Sequence, residues 1–450
     1  MLRLLWIAPL LLSACAAPDW KDDLDRLRET AAALPVSSEP GSRAPSTDAD
    51  LDRVLAGPLD MATLIPIARS RNPELREATW LTRAAIENVA ARGSLDDPTF
   101  KLETEGVPLK HPGSLGLAMD NMAGLSQSFP FPGNLSLRRE SAAREAEGQH
   151  QRYLDRERDI VLRLTRAYLG YYAATRAIEA HDDHLKLMEA TEKISDAKFR
   201  TGAVSQQDVL KPQLEQVLLH NDVLAMEQMK GSARAAINQI LHRPPEAPLG
   251  EPKEIAVPDE TFSLPELMAR ASESRPDLKA AELRVKSSQA ALRLAERERD
   301  LPDFSVGVDY WQIPGGPDAY GAMLSINLPW FTGKRSAEAR RLDQMLRADE
   351  AALDSARGRA QYEIRDAWLR VDAARRSAAL FRGELVPKTA QTVEVSRTAY
   401  EKDKSSFLDL LDAERSLRDV RLKNIQAVTQ YESAVADLER AVGADLRRKP

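Results

Sequence analysis

Apolar residues recur at spacings of three and four along two stretches of the chain, residues 135–201 and 335–402, while Arg, Glu and Asp fill much of the rest. Ile160, Leu164, Ala167, Tyr168 and Tyr171 show the pattern. It predicts helices that pack through a narrow apolar stripe and keep their other faces wet. Roughly 67 residues at 1.5 Å rise would make a rod on the order of 100 Å, longer than a globular domain encloses. Pro387, the one proline inside either stretch, should kink or end its helix locally. Ahead of each rod the period changes to two. Residues 99–107, 116–129, 303–313 and 319–330 are predicted strands, each pair joined by a Gly/Pro loop. Phe304, Val306, Val308 and Tyr310 alternate, as do Leu324, Ile326 and Leu328 with Ser325 and Asn327 on the other face.

The same order of elements is written twice. Asn72-Pro73-Glu74-Leu75 corresponds to Arg275-Pro276-Asp277-Leu278, and Leu125 to Pro130 with Gly133 and Ser136 corresponds to Leu324 to Pro329 with Gly333 and Ser336. Arg166-Ala167-Tyr168-Leu169 is echoed by Asp366-Ala367-Trp368-Leu369, and Phe199, Ser205, Asp208 and Leu210 by Tyr400, Ser406, Asp409 and Leu411. Landmarks that keep order and spacing mark an internal duplication. Each copy predicts a helical stretch, two strands, a very long helix, a turn and a further helix. The two repeats fall at 59–243 and 262–443, separated by a proline-rich connector at 244–261 and followed by a tail at 444–450. At the Tyr168 and Trp368 positions the expected role is helix core.

Aromatics gather near the strand ends, among them Phe100, Phe129, Phe131, Tyr310, Trp311, Tyr320, Trp330 and Phe331, in a chain only 5% aromatic. That placement predicts an interfacial girdle, with Tyr310, Trp311, Tyr320 and Trp330 its members, around strands with lipid on one side and water on the other. Four strands cannot close on themselves, and a sheet edge facing lipid leaves backbone groups unsatisfied at several kcal/mol each. Several chains must therefore share one barrel. Two would give eight strands around a packed interior; three give twelve, enough for a water-filled lumen. The fold class expected is mainly α with a membrane β-barrel portion: internally duplicated, with long antiparallel coiled-coil helices and four strands per chain. It would be completed as a trimeric twelve-stranded barrel.

Residues 1–14 read as a signal peptide, with Arg3 ahead of the apolar run Leu4 to Leu12, too short to span a bilayer. Leu12-Ser13-Ala14-Cys15 resembles a bacterial lipobox, which makes Cys15, the only cysteine, the expected lipidation site. Ala16 after it, rather than Asp, points by the same resemblance to the outer membrane. Residues 15–58 are expected to be the lipidated N-terminus and a tether, with Pro, Ser and Gly prominent in 35–48. No later window holds about 18 consecutive apolar residues, so no helical span is expected. With 29% charged residues, net charge −6 and pI near 5.8, the chain lacks the clustered basic excess that nucleic acid requires.

Taken together these segments resemble the outer-membrane factor, or TolC-like, family of efflux and type I secretion exit ducts. The resemblance covers residues 60 to 443 and is most specific in the turn blocks Phe199 to Leu210 and Tyr400 to Ala413. It implies a homotrimer in outer-membrane lipid that reaches into the periplasm, where an adaptor protein and an inner-membrane pump of the RND type would be its partners. It also implies an α-helical tunnel in the periplasm, whose tapered inner tip the two turns would form. Asp409 and Asp412 match the family's acidic aperture ring. Asp208 and Tyr400 match its tip latch. Members often have glycine where Asp403 stands and a basic latch residue where Ser405 stands, so Lys404 or Lys211 would substitute. The block Phe129 to Arg138 looks like that of heavy-metal efflux members, with drugs or secreted proteins as alternative cargo.

The sequence holds no phosphate-cradling glycine loop, no His-Glu-x-x-His zinc motif and no nucleophile elbow. His181-Asp182-Asp183-His184 could hold a transition metal in principle, but a solvated rod surface is the expected role. No enzyme activity, cofactor or metal is therefore implied. The competing reading is a lipid-anchored periplasmic coiled-coil spacer without a pore, which would need no alternating strands.

Overall fold

A computed structural model describes residues 19–34, 48–105, 120–258, 260–313, 315–330, 332–402 and 404–447. In chain order the elements are α1 (Asp19–Ala32), α2 (Asp48–Leu55), α3 (Met61–Arg71), α4 (Pro73–Gly93), β1 (Thr99–Glu105), β2 (Asp120–Phe129), α5 (Asn134–Arg200) and α6 (Gln206–Ile240). The series then repeats with α7 (Leu264–Ser274), α8 (Pro276–Asp300), β3 (Phe304–Gln312), β4 (Ala319–Ile326), α9 (Gly333–Leu380), α10 (Val386–Glu401) and α11 (Phe407–Val442).

The expected first rod is one helix of 67 residues. The second is interrupted ahead of Pro387 by a π turn, Phe381–Leu385, in which Val386 N–H reaches back to Phe381 O. Proline offers no N–H and its ring crowds the carbonyl four residues earlier, so one wider turn absorbs the mismatch and the helix resumes. Within the expected tether, the described residues form the helices α1 and α2. No helix among the described residues is long and apolar enough to cross a membrane.

The chain divides into two compact units. One contains α1, α4 from Thr79, the four strands, α5 as far as Arg152, α8 from Asp277 and α9 as far as Ala356. Its sheet is antiparallel in the order β1-β2-β3-β4. The pairing of β2 with β3 joins the two repeats, with Phe129 opposite Phe304 and Asn121 opposite Gln312. Small residues let α5 and α8 approach closely, and the Ser141 and Ser287 hydroxyls each donate to the other's backbone carbonyl, at 3.2 and 3.0 Å. Leu24 and Ala31 of α1 pack with Ile86, Val89, Ala142 and Ala146, and Arg28 grips Glu87 through two hydrogen bonds of 3.0 and 2.7 Å.

The other unit holds the remaining helices and shows the duplication in its joints. Asn72, between α3 and α4, caps α4 by accepting from Glu74 N and donates through Nδ2 to Ile240 O at the end of α6. Its counterpart Arg275, between α7 and α8, donates to Ala441 O at the end of α11 and to Glu363. A Pro after each joint suits the first turn of a helix, where its missing N–H costs nothing. Tyr168 and Trp368, expected in the core, are each tied to backbone: Tyr168 donates to Leu59 O at 3.0 Å and Trp368 to Phe262 O at 2.8 Å. The connector is not a free strand of chain. Leu59 and Pro252 form a parallel bridge, and Gly250 N donates to Leu55 O at 2.8 Å. Tyr431, Val435, Leu438, Ile364, Val371 and Leu267 anchor one core of this unit.

Candidate functional site

The sheet has two faces of opposite chemistry. Residues directly opposite in an antiparallel pair share a face, so the register puts Phe100, Leu102, Leu125, Val306, Val308, Tyr310, Tyr320, Leu324 and Ile326 together. All of these are exposed, Tyr320 to 87% and Leu324 to 68%. A water-soluble sheet would bury such a face against helices. Lys101, Glu103, Glu105, Asp120, Ser126, Ser305, Asp309 and Ser325 lie on the other face, with Met122, Met323 and Trp311 among them, so the register sets Trp311 apart from Tyr310 and Tyr320. Lys101 and Glu103 form an ion pair there.

Neither β1 nor β4 has a partner on its outer edge among the described residues. Each edge therefore presents a row of free donors and acceptors. Aromatic side chains mark both ends of the sheet. At one end Tyr310 and Tyr320 face each other with ring centroids 5.4 Å apart, Trp311 follows, and Tyr310 donates to Asp318 at 2.6 Å. At the other, Phe129 stacks on Phe304 at 5.6 Å, and Trp330 is 79% exposed. Phe331 lies outside the described residues, as do 106–107 and 116–119 of the predicted strands. Strand β4 closes at Ile326, four residues before the expected Trp330, after which the chain leaves the sheet.

In the other unit, two helix turns form the second candidate site. Phe199 to Ser205 and Lys402 to Ser406 connect equivalent helices, and the same backbone bond closes both: Ala203 N to Lys198 O at 2.9 Å and Lys404 N to Ala399 O at 2.8 Å. Gly202, at φ +74°, takes the left-handed position of the first turn. Each following helix opens with a Ser and an Asp three residues on, a reciprocal cap. Asp208 accepts from Ser205 N and Oγ at 3.1 and 3.0 Å, and Asp409 accepts from Ser406 N and Oγ at 3.0 and 2.8 Å and from Ser405 Oγ at 3.1 Å. The Ser406 hydroxyl above all, then its N–H and the Ser405 hydroxyl, hold the Asp409 carboxyl below the usual carboxylate range. Asp409 thus stays ionised while capping its helix. Asp412, one turn along, is exposed.

The expected latch residues are placed differently from one another. Tyr400 is buried: its hydroxyl meets Ser195 Oγ at 3.1 Å and its ring packs edge-on against Phe407. The cation at Tyr400 is Lys198, which lies 4.3 Å from the ring centre and donates to Tyr400 O at 2.5 Å. Lys404 is exposed, and Asp403 and Cys15 lie outside the described residues. Deeper in the bundle Glu215 of α6 accepts from Arg415 at 2.6 Å and Arg418 at 3.0 Å, both on α11. His181 and His184, expected on a solvated surface, are each only 2% exposed, because they continue the apolar stripe of Ala177 and Met188. No group of three His, Cys, Asp or Glu side chains among the described residues could hold a metal ion.

Lys198, Ser195, Glu215 and Glu414 escaped the sequence reading. Their signal is a polar residue occupying an apolar-stripe position, as Glu414 does among Leu410, Leu411 and Leu417.

A duplicated, mainly helical chain that carries an open amphipathic sheet is the fold of a shared membrane barrel's subunit. The chain belongs to the outer membrane efflux protein family, which matches it twice, over residues 64–241 and 267–444. It is 30% identical over 184 residues to the outer membrane protein OprJ of Pseudomonas aeruginosa, an alignment that spans 38% of this chain and 37% of that relative's length. The fold is similar to that of the outer-membrane channel OprN, with TM-score 0.72 and 18% identity over 91% of this chain and 99% of that one. CusC gives TM-score 0.73 at 17% identity, covering 87% and 94%, and the open-state Neisseria gonorrhoeae MtrE channel gives 0.72 at 20%, covering 86% and 90%.

Proposed function

We propose that three copies of this chain join their sheets edge to edge as a twelve-stranded barrel in the outer membrane. The paired helices would continue it as a periplasmic tunnel, the whole serving as the passive exit duct of a tripartite efflux system. The observation that carries this reading is the open sheet with an exposed apolar face, a polar face and two unpartnered edges. In lipid each edge must find a strand, and identical chains can supply it. An exposed apolar stripe along α6, Leu210, Leu214, Val217 and Leu224, gives the helices a further surface for a second copy. Glu103, Glu105, Asp120 and Asp309 suit the sheet's polar face to a wet lumen.

Cys15 would carry the lipid anchor, and a periplasmic adaptor with an RND-type inner-membrane pump would supply cargo and driving force, heavy-metal cations or drugs being the proposed cargo. Asp409 and Asp412, three apart near the start of α11, would ring the aperture with six carboxylates in a trimer and favour cations there. Planar-bilayer recording tests both parts. The wild-type protein should give discrete cation-selective currents, and the double variant Asp409→Ala, Asp412→Ala should conduct with lower selectivity. Absence of any current would leave the pore-free spacer, and unchanged selectivity would refute the aperture assignment.

A further inference from the structure

Polar groups are stacked in layers along α5, where it meets α10 at the turns and α11 and α6 beyond them. The layer at the turns is Ser195, Lys198 and Tyr400, joined as described above. The next is Thr191 of α5 and Glu414 of α11, and beyond it lie His184 of α5, Glu215 of α6 and Arg418 of α11, followed by His181.

Glu414 has the most exceptional surroundings. It is 0% exposed within a single chain, so assembly can only deepen its burial. Oε1 accepts one long hydrogen bond, 3.3 Å, from Thr191 Oγ1, and Oε2 has no partner among the described residues. Leu410, Leu411 and Phe407 precede it on the stripe, with Val393 and Leu417 beside it. Arg397 of α10 is the cation whose field reaches it, and Arg397 itself lies 3.9 Å from Glu394. The two cations nearest along α11, Arg415 and Arg418, are already held by Glu215. An ionised carboxylate here would exchange its hydration for one weak donor, a costly trade in an apolar interior.

We propose that Glu414 is a proton-operated lock on the α5–α11 seam, which seats α11 while the carboxyl is protonated and releases it when the carboxyl ionises. Burial pushes its pKa up to about 7, with Thr191 and Arg397 pulling back only in part. A carboxyl raised in the folded state adds stability at acid pH, and that contribution fades as pH rises from about 4.5 towards 7. The histidines oppose it from the acid side. Burial first, then Arg418, pushes His184 down to about 4, against the pull of Glu215 and Asp419; burial likewise lowers His181, against Asp222, Asp182 and Asp419. The stability that their neutral forms confer fades as pH falls from 6.5. The seam is therefore tightest in mild acid and loosens on the alkaline side through Glu414. That this loosening would widen a duct's mouth rests on the functional reading above; the lock itself does not.

Hydrogen exchange of the full-length protein in detergent tests the lock without reference to conduction. Protection of the Phe407–Leu417 amides, corrected for intrinsic exchange and taken as the ratio of wild type to Glu414→Gln so that the histidines cancel, should fall about tenfold between pH 6 and pH 8.5. In Glu414→Gln alone, where only the histidines titrate, protection should not fall over that range. In Thr191→Val, which removes the one donor to the charged form, the fall should be larger. A flat ratio overturns the proposal, as does a Glu414→Gln profile that falls like the wild type. Should Glu414→Gln fail to fold, a fall in Thr191→Val no larger than in the wild type overturns it equally.

Discussion

Single residues in this chain set helix ends and joints, and the clearest is Gly443. It closes α11 at φ +77°, and a methyl group added there would lie 2.8 Å from Arg275 Cα and 3.0 Å from Arg275 N. The left-handed conformation costs a non-glycine residue about 1–2 kcal/mol before any clash, and backbone atoms cannot swing aside. Gly443→Ala should therefore destabilise the second unit by more than about 2 kcal/mol, read as a lower midpoint in helical circular dichroism, whereas a neutral result would contradict the described joint. At the same scale the sequence reading separates into two kinds. Ser205, Asp208, Ser406 and Asp409 were legible as paired landmarks because a reciprocal cap needs both residues at fixed spacing. Lys198 and Glu215 were not, because which partner a charged side chain meets depends on how helices far apart in the chain are packed.

Among the elements, the strands and the long helices behaved as their periods required. The α5 boundaries and the described boundaries of β1, β2 and β3 lay close to those expected, while β4 stopped four residues short; a change of period from two to 3.6 is a change of which face is apolar. The π turn before Pro387 has no periodic signature, and its residues Phe381–Leu385 read as helix in sequence. The two histidines of α5 were misplaced for a related reason: His-Asp-Asp-His looks polar as a word, yet His181 and His184 fall on the buried stripe. For the sheet, the two faces should respond oppositely to charge. Val308→Arg, in the middle of the exposed apolar face, should cost about 2–4 kcal/mol in a bilayer, the penalty for Arg on a barrel's lipid face. Ser325→Arg, on the polar face, should cost little. Folding of the variants into lipid vesicles under a urea series measures both, and equal effects would show that the apolar face does not meet lipid.

At the level of the whole molecule, one chain leaves its chemistry unfinished. The sheet has two open edges and an exposed apolar face, and α6 adds an exposed apolar stripe. Such surfaces on an isolated soluble protein would promote aggregation; in lipid, with copies of the same chain, they would become the wall of the proposed barrel. Duplication supplies four strands from two hairpin-forming halves, and only the number of chains decides whether the barrel is packed or hollow. Native mass spectrometry of the protein extracted in mild detergent addresses that number most directly. The account predicts a complex of three copies of the processed chain, lost when the sheet edges are disrupted; a monomer that keeps its strands and its solubility would contradict it.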